Sequence, residues 1–244
     1  MKEAEKMKCM GKTNRRLKIS LVVAASLAVL LSSAFFIYVS DYYRADDVAN
    51  AILQSDAVTR AQKNLIVLPS VTPSDTALIF YPGAKVECFA YLPILEKIKR
   101  NCDITCILVR MPFNLAIFAK DYADAVIEQF PHIKNWYIAG HSMGGAMASA
   151  YASEHQDSIK GLILLGAYIY GGYPAGKALT VYGSFNTTVA DKVDYTENVV
   201  IIEGGNHAQF GNYGRQKGDP DATISREEQQ DIAVHAIKEF LTKR

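Results

Sequence analysis

The stretch Trp136-Tyr137-Ile138-Ala139-Gly140-His141-Ser142-Met143-Gly144-Gly145-Ala146-Met147-Ala148-Ser149-Ala150 constrains this chain more than any other. An apolar run reads as a strand and stops at a glycine. A serine follows, and a pair of glycines then opens a run of small residues with helical character. No loop separates strand from helix, so the chain must turn sharply at Ser142. Such a turn strains its central residue and brings the helix close to the sheet, which is why the flanking positions carry no bulk. A sheet whose strands feed directly into covering helices accommodates this unit.

The rest of the chain follows the same grammar. Short apolar runs predict strands at Asn64 to Leu68, Ala77 to Tyr81, Ile104 to Val109, Trp136 to Ala139, Gly161 to Leu165, Leu179 to Tyr182 and Val199 to Glu203. Helical patterns fall near Tyr91 to Arg100, Ala119 to Phe130, Met143 to His155 and Arg226 to Leu241, after an acidic helical segment from about Tyr43 to Gln54. Thr223-Ile224-Ser225 ahead of Glu227-Glu228 reads as a cap on the last helix. Alternating strands and helices predict an α/β fold, with a mainly parallel central sheet and helices on both faces.

That domain is preceded by a different kind of segment. Ile19 to Val39 has no charged residue, and its length matches a helix of roughly 32 Å across a hydrocarbon core of about 30 Å. Residues 1–18 carry seven Lys/Arg (Lys2, Lys6, Lys8, Lys12, Arg15, Arg16, Lys18) against Glu3 and Glu5. The division expected is therefore a basic cytoplasmic tail over 1–18, a single-pass transmembrane signal-anchor over 19–39, and an extracellular domain over 40–244. A cleavable signal is the rival reading, because Ser32-Ser33-Ala34 offers small residues; cleavage would release the domain as a secreted protein. Tyr38, Tyr42 and Tyr43 are expected at the outer interface.

With the tail set aside, the remainder is mildly acidic, so nucleic acid is not an expected partner. The chain is 50% hydrophobic, enough for one sizeable core plus the apolar segment. Of the four cysteines, Cys9 falls on the cytoplasmic side, leaving Cys88, Cys102 and Cys106 to close at most one disulfide; buried inert thiols fit better. No spacing of cysteines, histidines or carboxylates suggests a metal, and no cofactor is expected.

Gly140-His141-Ser142-Met143-Gly144 fits G-x-S-x-G, a pattern that chance alone produces in roughly one chain of this length in twelve. Its strand-to-helix setting is what makes Ser142 a candidate nucleophile. A serine needs a base. His207, in Gly204-Gly205-Asn206-His207-Ala208-Gln209-Phe210-Gly211, follows a strand and so emerges at the same edge of a parallel sheet, whereas His132, His155 and His235 do not. The oxyanion donors expected are the backbone amides of Met143, which opens a helix, and Ala84 in Tyr81-Pro82-Gly83-Ala84-Lys85, with Gly83 the alternative.

These pieces, together with Met111-Pro112-Phe113-Asn114-Leu115-Ala116, carry a resemblance. From Ala77 onward the chain resembles the bacterial α/β-hydrolases of the fold-5 group, related to dienelactone-hydrolase-like esterases. The resemblance implies an α/β-hydrolase fold, Ser142 as nucleophile, His207 as base and a small-molecule acyl substrate. It also implies an acidic residue soon after Thr180-Val181-Tyr182-Gly183, where this chain has Gly183-Ser184-Phe185-Asn186-Thr187. Asn186 stands at the third triad position, with Asp191, and beyond it Asp194, as alternatives on the same connection. The connection also looks short of a helix. In a serine protease the change from Asp to Asn costs about 10⁴ in kcat.

Two functions of different class follow. One is a serine hydrolase cleaving a carboxylic ester or thioester through an acyl-enzyme on Ser142, or the kindred acyltransferase in which another hydroxyl replaces water. The other is a non-catalytic, membrane-anchored binding protein that keeps the pocket. Glu203 reads as a brace for the His207 loop, as do Gln209, Asn212, Tyr213, Gln216 and Asp219, which could alternatively line the site; Tyr168, Tyr170 and Tyr173 mark a pocket wall or a plain loop.

Overall fold

The computed structural model describes residues 2–62 and 64–243, with the side chains of 2–16 and 60–62 outside the description. Cys9 and most of the basic tail therefore lie outside the described side chains. The chain forms two compact units, Met1–Asp41 and Tyr42–Arg244.

The first unit is helix α1 (Lys2–Ser40). Its section Leu17–Ser40, 24 residues, is long and apolar enough to cross a membrane, and of its residues only Val39 is buried. A run of exposed Leu, Val and Phe is costly in water and stable in hydrocarbon.

In the second unit, an eight-stranded sheet has the order β1-β2-β4-β3-β5-β6-β7-β8. The strands are β1 (Thr59–Gln62), β2 (Leu65–Leu68), β3 (Thr76–Tyr81), β4 (Thr105–Val109), β5 (Asn135–His141), β6 (Ile159–Leu165), β7 (Ala178–Gly183) and β8 (Val199–Ile202). β1 and β2 are antiparallel to their neighbours, and every pairing from β4 through β8 is parallel. All seven sequence-predicted strands are present within a residue or two. β1 was not foreseen, because Thr-Arg-Ala-Gln has neither an apolar run nor alternation; it is a strand only because β2 offers it a free edge.

The helices are α2 (Asp47–Gln54), α3 (Leu92–Cys102), α4 (Tyr122–Gln129), α5 (Met143–Glu154), α6 (Thr187–Ala190) and α7 (Arg226–Thr242). The segment expected to be helical from Tyr43 begins at Asp47, where the Asp46 carboxylate caps the Ala49 amide at 3.0 Å; Tyr43 instead bridges to Val86. Ser225 caps α7 through the Glu228 amide, as the sequence predicts. Alternate residues of the strands feed two cores. Leu78 and Phe80 pack with α3 and α7, while Ala77, Ile79 and Tyr81 pack with α4 and α5. A sheet buried on both faces explains why its central strands read as unbroken apolar runs. Cys88 and Cys106 are buried free thiols and Cys102 is half-buried; burial pushes Cys88 up to about 12 and Cys102 up to about 11.

Because β3, β5, β6, β7 and β8 run parallel, the segments that follow them all emerge at one edge of the sheet. That edge collects the residues singled out above.

Candidate active site

Ser142 sits on the junction of β5 and α5 with φ 54° and ψ −125°, a conformation that costs a non-glycine residue free energy of order 1–3 kcal/mol. The strain is held by the sheet and helix on either side: the Ser142 amide donates to Leu165 O on β6 at 3.1 Å, and its carbonyl accepts the first helical bond, from Ala146, at 3.0 Å. Gly144 explains the missing bulk. A Cβ there would collide with the Tyr81 and Pro82 carbonyls, so only glycine lets α5 start this close to the end of β3.

His207 lies after β8, at the mouth of a short 3-10 turn, Ala208–Phe210. Its loop is anchored to α7 by the fully buried Gln229, whose Oε1 accepts from the Asn206 amide at 3.0 Å and whose Nε2 donates to Asn206 O at 2.8 Å. Asn206 Nδ2 donates to Pro220 O at 2.8 Å. Burial lowers the pKa of His207, and the neighbouring Asp219 carboxylate partly offsets this. The imidazole is therefore neutral at pH 7, the form a general base requires.

Asn186 is brought to His207. Its Nδ2 lies 2.7 Å from His207 Nδ1, and the residue is buried. It occupies the N-cap position of α6 yet makes no capping bond, so its carboxamide is committed to the imidazole. Asp191 and Asp194 are exposed, and neither side chain bonds to His207. The connection from β7 to β8, which the sequence leaves short of a helix, carries the single turn α6. Glu203 is exposed and accepts a bond from Ser184 Oγ at 3.3 Å, while Ser184 Oγ accepts from the Gly204 amide at 2.9 Å. It braces the loop.

Ser142, Asn186 and His207 line one cleft of about 530 Å³, together with Met143, Gly166, Tyr168 and Asp219. No hydrogen bond joins Ser142 Oγ to His207 among the described residues; both groups face the cleft. The larger cavity, about 780 Å³, lies at the opposite ends of the strands, around Asn101, Lys160 and Lys238, far from these groups. Of the tyrosines in the loop after β6, Tyr168 reaches the cleft, Tyr170 is exposed, and Tyr173 is buried with its hydroxyl on Ile159 O at 3.0 Å.

The candidate amides of Gly83 and Ala84 separate through a network the sequence did not reveal. The Gly83 amide donates to Tyr91 Oη at 3.1 Å, Tyr91 Oη meets His141 Nδ1 at 2.7 Å, and His141 Nε2 meets His207 O at 3.0 Å. A carbonyl only accepts, so His141 carries its proton on Nε2 and receives the Tyr91 hydroxyl on Nδ1. Gly83 is thus engaged. Among the described residues the Ala84 amide has no hydrogen-bond partner, nor does that of Met143 at the start of α5. His141 is fully buried, and burial, reinforced by neighbouring His207, holds its pKa well below the usual value. Gly166 completes the setting: φ is +52°, and a Cβ there would stand 3.0 Å from His207 Nδ1 and 3.3 Å from the His141 ring. Among the described residues no cluster of His, Cys, Asp and Glu could hold a metal ion.

A serine on a strained strand-to-helix turn after the fifth strand, with a histidine after the eighth, is the arrangement against which comparison becomes meaningful. Residues 77–231, more than half of the chain, match the model of the alpha/beta hydrolase family. This chain belongs to the α/β-hydrolase family. Solved structures with a similar fold include the dienelactone hydrolase from Anabaena variabilis (11% identity, 76% of this chain and 95% of that one, TM-score 0.52). The soluble variant of monoglyceride lipase from Saccharomyces cerevisiae has 9% identity over 78% of this chain and 96% of that one, with a TM-score of 0.54. Est1E from Butyrivibrio proteoclasticus, solved with ferulic acid, has 15% identity over 74% and 94%, with a TM-score of 0.52. At these identities the likeness is one of fold. No curated protein sequence matches the chain at a significant level.

Proposed function

We propose that this α/β-hydrolase is a serine esterase held at a membrane by α1, acting on a carboxylic ester or thioester. The observation that carries the reading is the convergence of Ser142, His207 and the Asn186 carboxamide on one cleft beside two uncommitted amides. His207 Nε2 takes the Ser142 proton, Oγ attacks the acyl carbonyl, and the Met143 and Ala84 amides stabilise the oxyanion; water then releases the acid. The alkoxide or thiolate leaving group of an ester or thioester asks less of a weakened acid–base pair than an amine does.

Asn186 sets the limit on rate. With its Oδ1 turned to Nδ1–H, the imidazole keeps a lone pair on Nε2 and can act as base. Turned the other way, Nδ2–H donates to Nδ1, the proton resides on Nε2, and the ring cannot accept one from serine. A carboxylate enforces the first state and stabilises the imidazolium; a carboxamide allows both states and supplies no charge. The same residue favours the second reading, a non-catalytic binding protein that retains the cleft. The basic residues ahead of the apolar section of α1 favour a cytoplasmic N-terminus and an exported domain, and cleavage within α1 would release that domain.

A fluorophosphonate probe and short p-nitrophenyl esters decide between the two. The intact protein is expected to label and to turn over esters, and Ser142→Ala to abolish labelling with turnover down about 10²-fold, the residue of a triad already lacking its acid. Wild type that neither labels nor turns over would sink the esterase reading.

A further inference from the structure

The Asp219 carboxylate bonds to the base's own backbone. Its Oδ1 accepts from the His207 amide at 3.2 Å and its Oδ2 from the Ala208 amide at 2.8 Å. Both oxygens are therefore held beside the residue whose ring must become positive, and Asp219 lines the same cleft as Ser142 and His207. It is half-buried, and its place is fixed by the Asp219 amide on Gln216 O at 3.1 Å and by Asn206 Nδ2 on Pro220 O at 2.8 Å. The side facing Nδ1 holds the uncharged Asn186.

We propose that the two tasks of a triad carboxylate are divided in this protein: Asn186 orients the His207 ring through Nδ1, and Asp219, bound to the His207 and Ala208 amides, supplies the negative charge. The proposal rests on the esterase reading. When the Ser142 proton moves to His207 Nε2, one positive and one negative charge are created. The oxyanion amides receive the negative one. The positive one is met by the Asp219 carboxylate, which exchanges no proton. A charge hydrogen-bonded to the His207 backbone, in a partly desolvated cleft, is less screened than a surface pair. Asp219 is thus a positioning residue, acting on the reaction through His207.

The other groups around the ring are few. From β5 comes His141, its ring centroid 4.5 Å from that of His207 and neutral. The wall after β6 contributes Tyr168, and the loop containing Asp219 adds the exposed Lys217. The segment after β7 lends the cleft Phe185, Asn186, Thr187, Thr188 and Val189, none ionisable. Tyr213, buried near Asp219, has its phenol pushed up by burial and by that carboxylate, so it stays protonated. Arg215 and Arg226 are paired elsewhere, with Asp221 at 2.6 Å and Asp46 at 2.8 Å. Among the described residues Asp219 is the one carboxylate lining the cleft, and its charge also opposes the fall in His207 pKa caused by burial.

The test is a titration of His207 in the full chain in detergent, by NMR of carbon-labelled histidine assigned against His207→Gln, alongside kcat/KM for short esters. Asp219→Asn is expected to lower the His207 inflection by half a pH unit or more and kcat/KM about tenfold, with KM little changed and both restored by Asp219→Glu. In an Asn186→Asp background the same Asp219→Asn change is expected to cost threefold or less, because a charge already faces Nδ1. An inflection that does not move, or an equal rate loss in both backgrounds, would overturn the proposal in favour of a purely structural cap. A moved inflection in a protein that neither labels nor turns over would keep the charge assignment while the esterase reading fails.

Discussion

The turn after β5 and the turn after β7 both deliver one side chain to the same cleft, and they are built in opposite ways. At Ser142 the backbone does the placing: a left-handed φ, glycines on either side and a helix that begins at the next residue leave a single position for Oγ. At Asn186 the backbone is unremarkable, with φ −87°, and a lone carboxamide spans to His207. Placement by sterics tolerates almost no substitution and leaves a signature in sequence. Placement by one polar contact tolerates exchange of Asp for Asn with the fold intact, at the expense of rate.

Three changes bear on this contrast. The largest effect is expected from Asn186→Asp, which restores a carboxylate at a distance already short enough to bond. A gain of up to about 10⁴ in kcat, near 5.5 kcal/mol of transition-state stabilisation, is expected in steady-state kinetics. No gain would remove Asn186 from the machinery and erase the contrast.

Gly166→Ala, just after β6, probes how tightly the cleft confines His207. The new Cβ meets His207 Nδ1 and the His141 ring and must adopt φ near +52°. A loss of about 1–2 kcal/mol in stability by denaturant titration is expected, with kcat down about tenfold because the base is displaced by a few tenths of an ångström. Unchanged kinetics would mean that the ring has room to spare.

The smallest effect concerns His141, whose neutral form ties the oxyanion loop to the base. The unfolded chain protonates this histidine near pH 6.5, whereas burial keeps the folded one neutral well below that. Unfolding therefore takes up a proton across this window, and folded stability declines as the pH falls below about 6.5, by about 1.4 kcal/mol per unit from this residue. His141→Gln is expected to be less stable at pH 7 but to lose correspondingly less between pH 6 and pH 5, measured by thermal or urea unfolding. Parallel losses in both proteins would show that His141 does not titrate differently on folding.

The features that could be read from sequence were those written in backbone chemistry. Strands buried on both faces have to be apolar runs, a strand that turns into a helix at one serine has to be flanked by glycine, and the final helix announced its cap at Ser225. Ser142 and His207 followed, because a parallel sheet sends every strand end to one edge. β1 was invisible, since a polar edge strand owes its structure to its neighbour. Ala84 was the expected donor with Gly83 the alternative; Tyr91, which had read only as a helix start, engages the Gly83 amide. Asp219 looked like one loop brace among several.

By itself the sequence determined the layered α/β core, the apolar helix before it and the strained serine, because each depends on local sterics or on the period of burial. Only the tertiary structure decided that Asn186 and not Asp191 meets His207, that His141 is spent on holding two loops together, and that Asp219 stands beside the base. Those are contacts between segments far apart in the chain, and a pairing of that kind is fixed by how the layers pack.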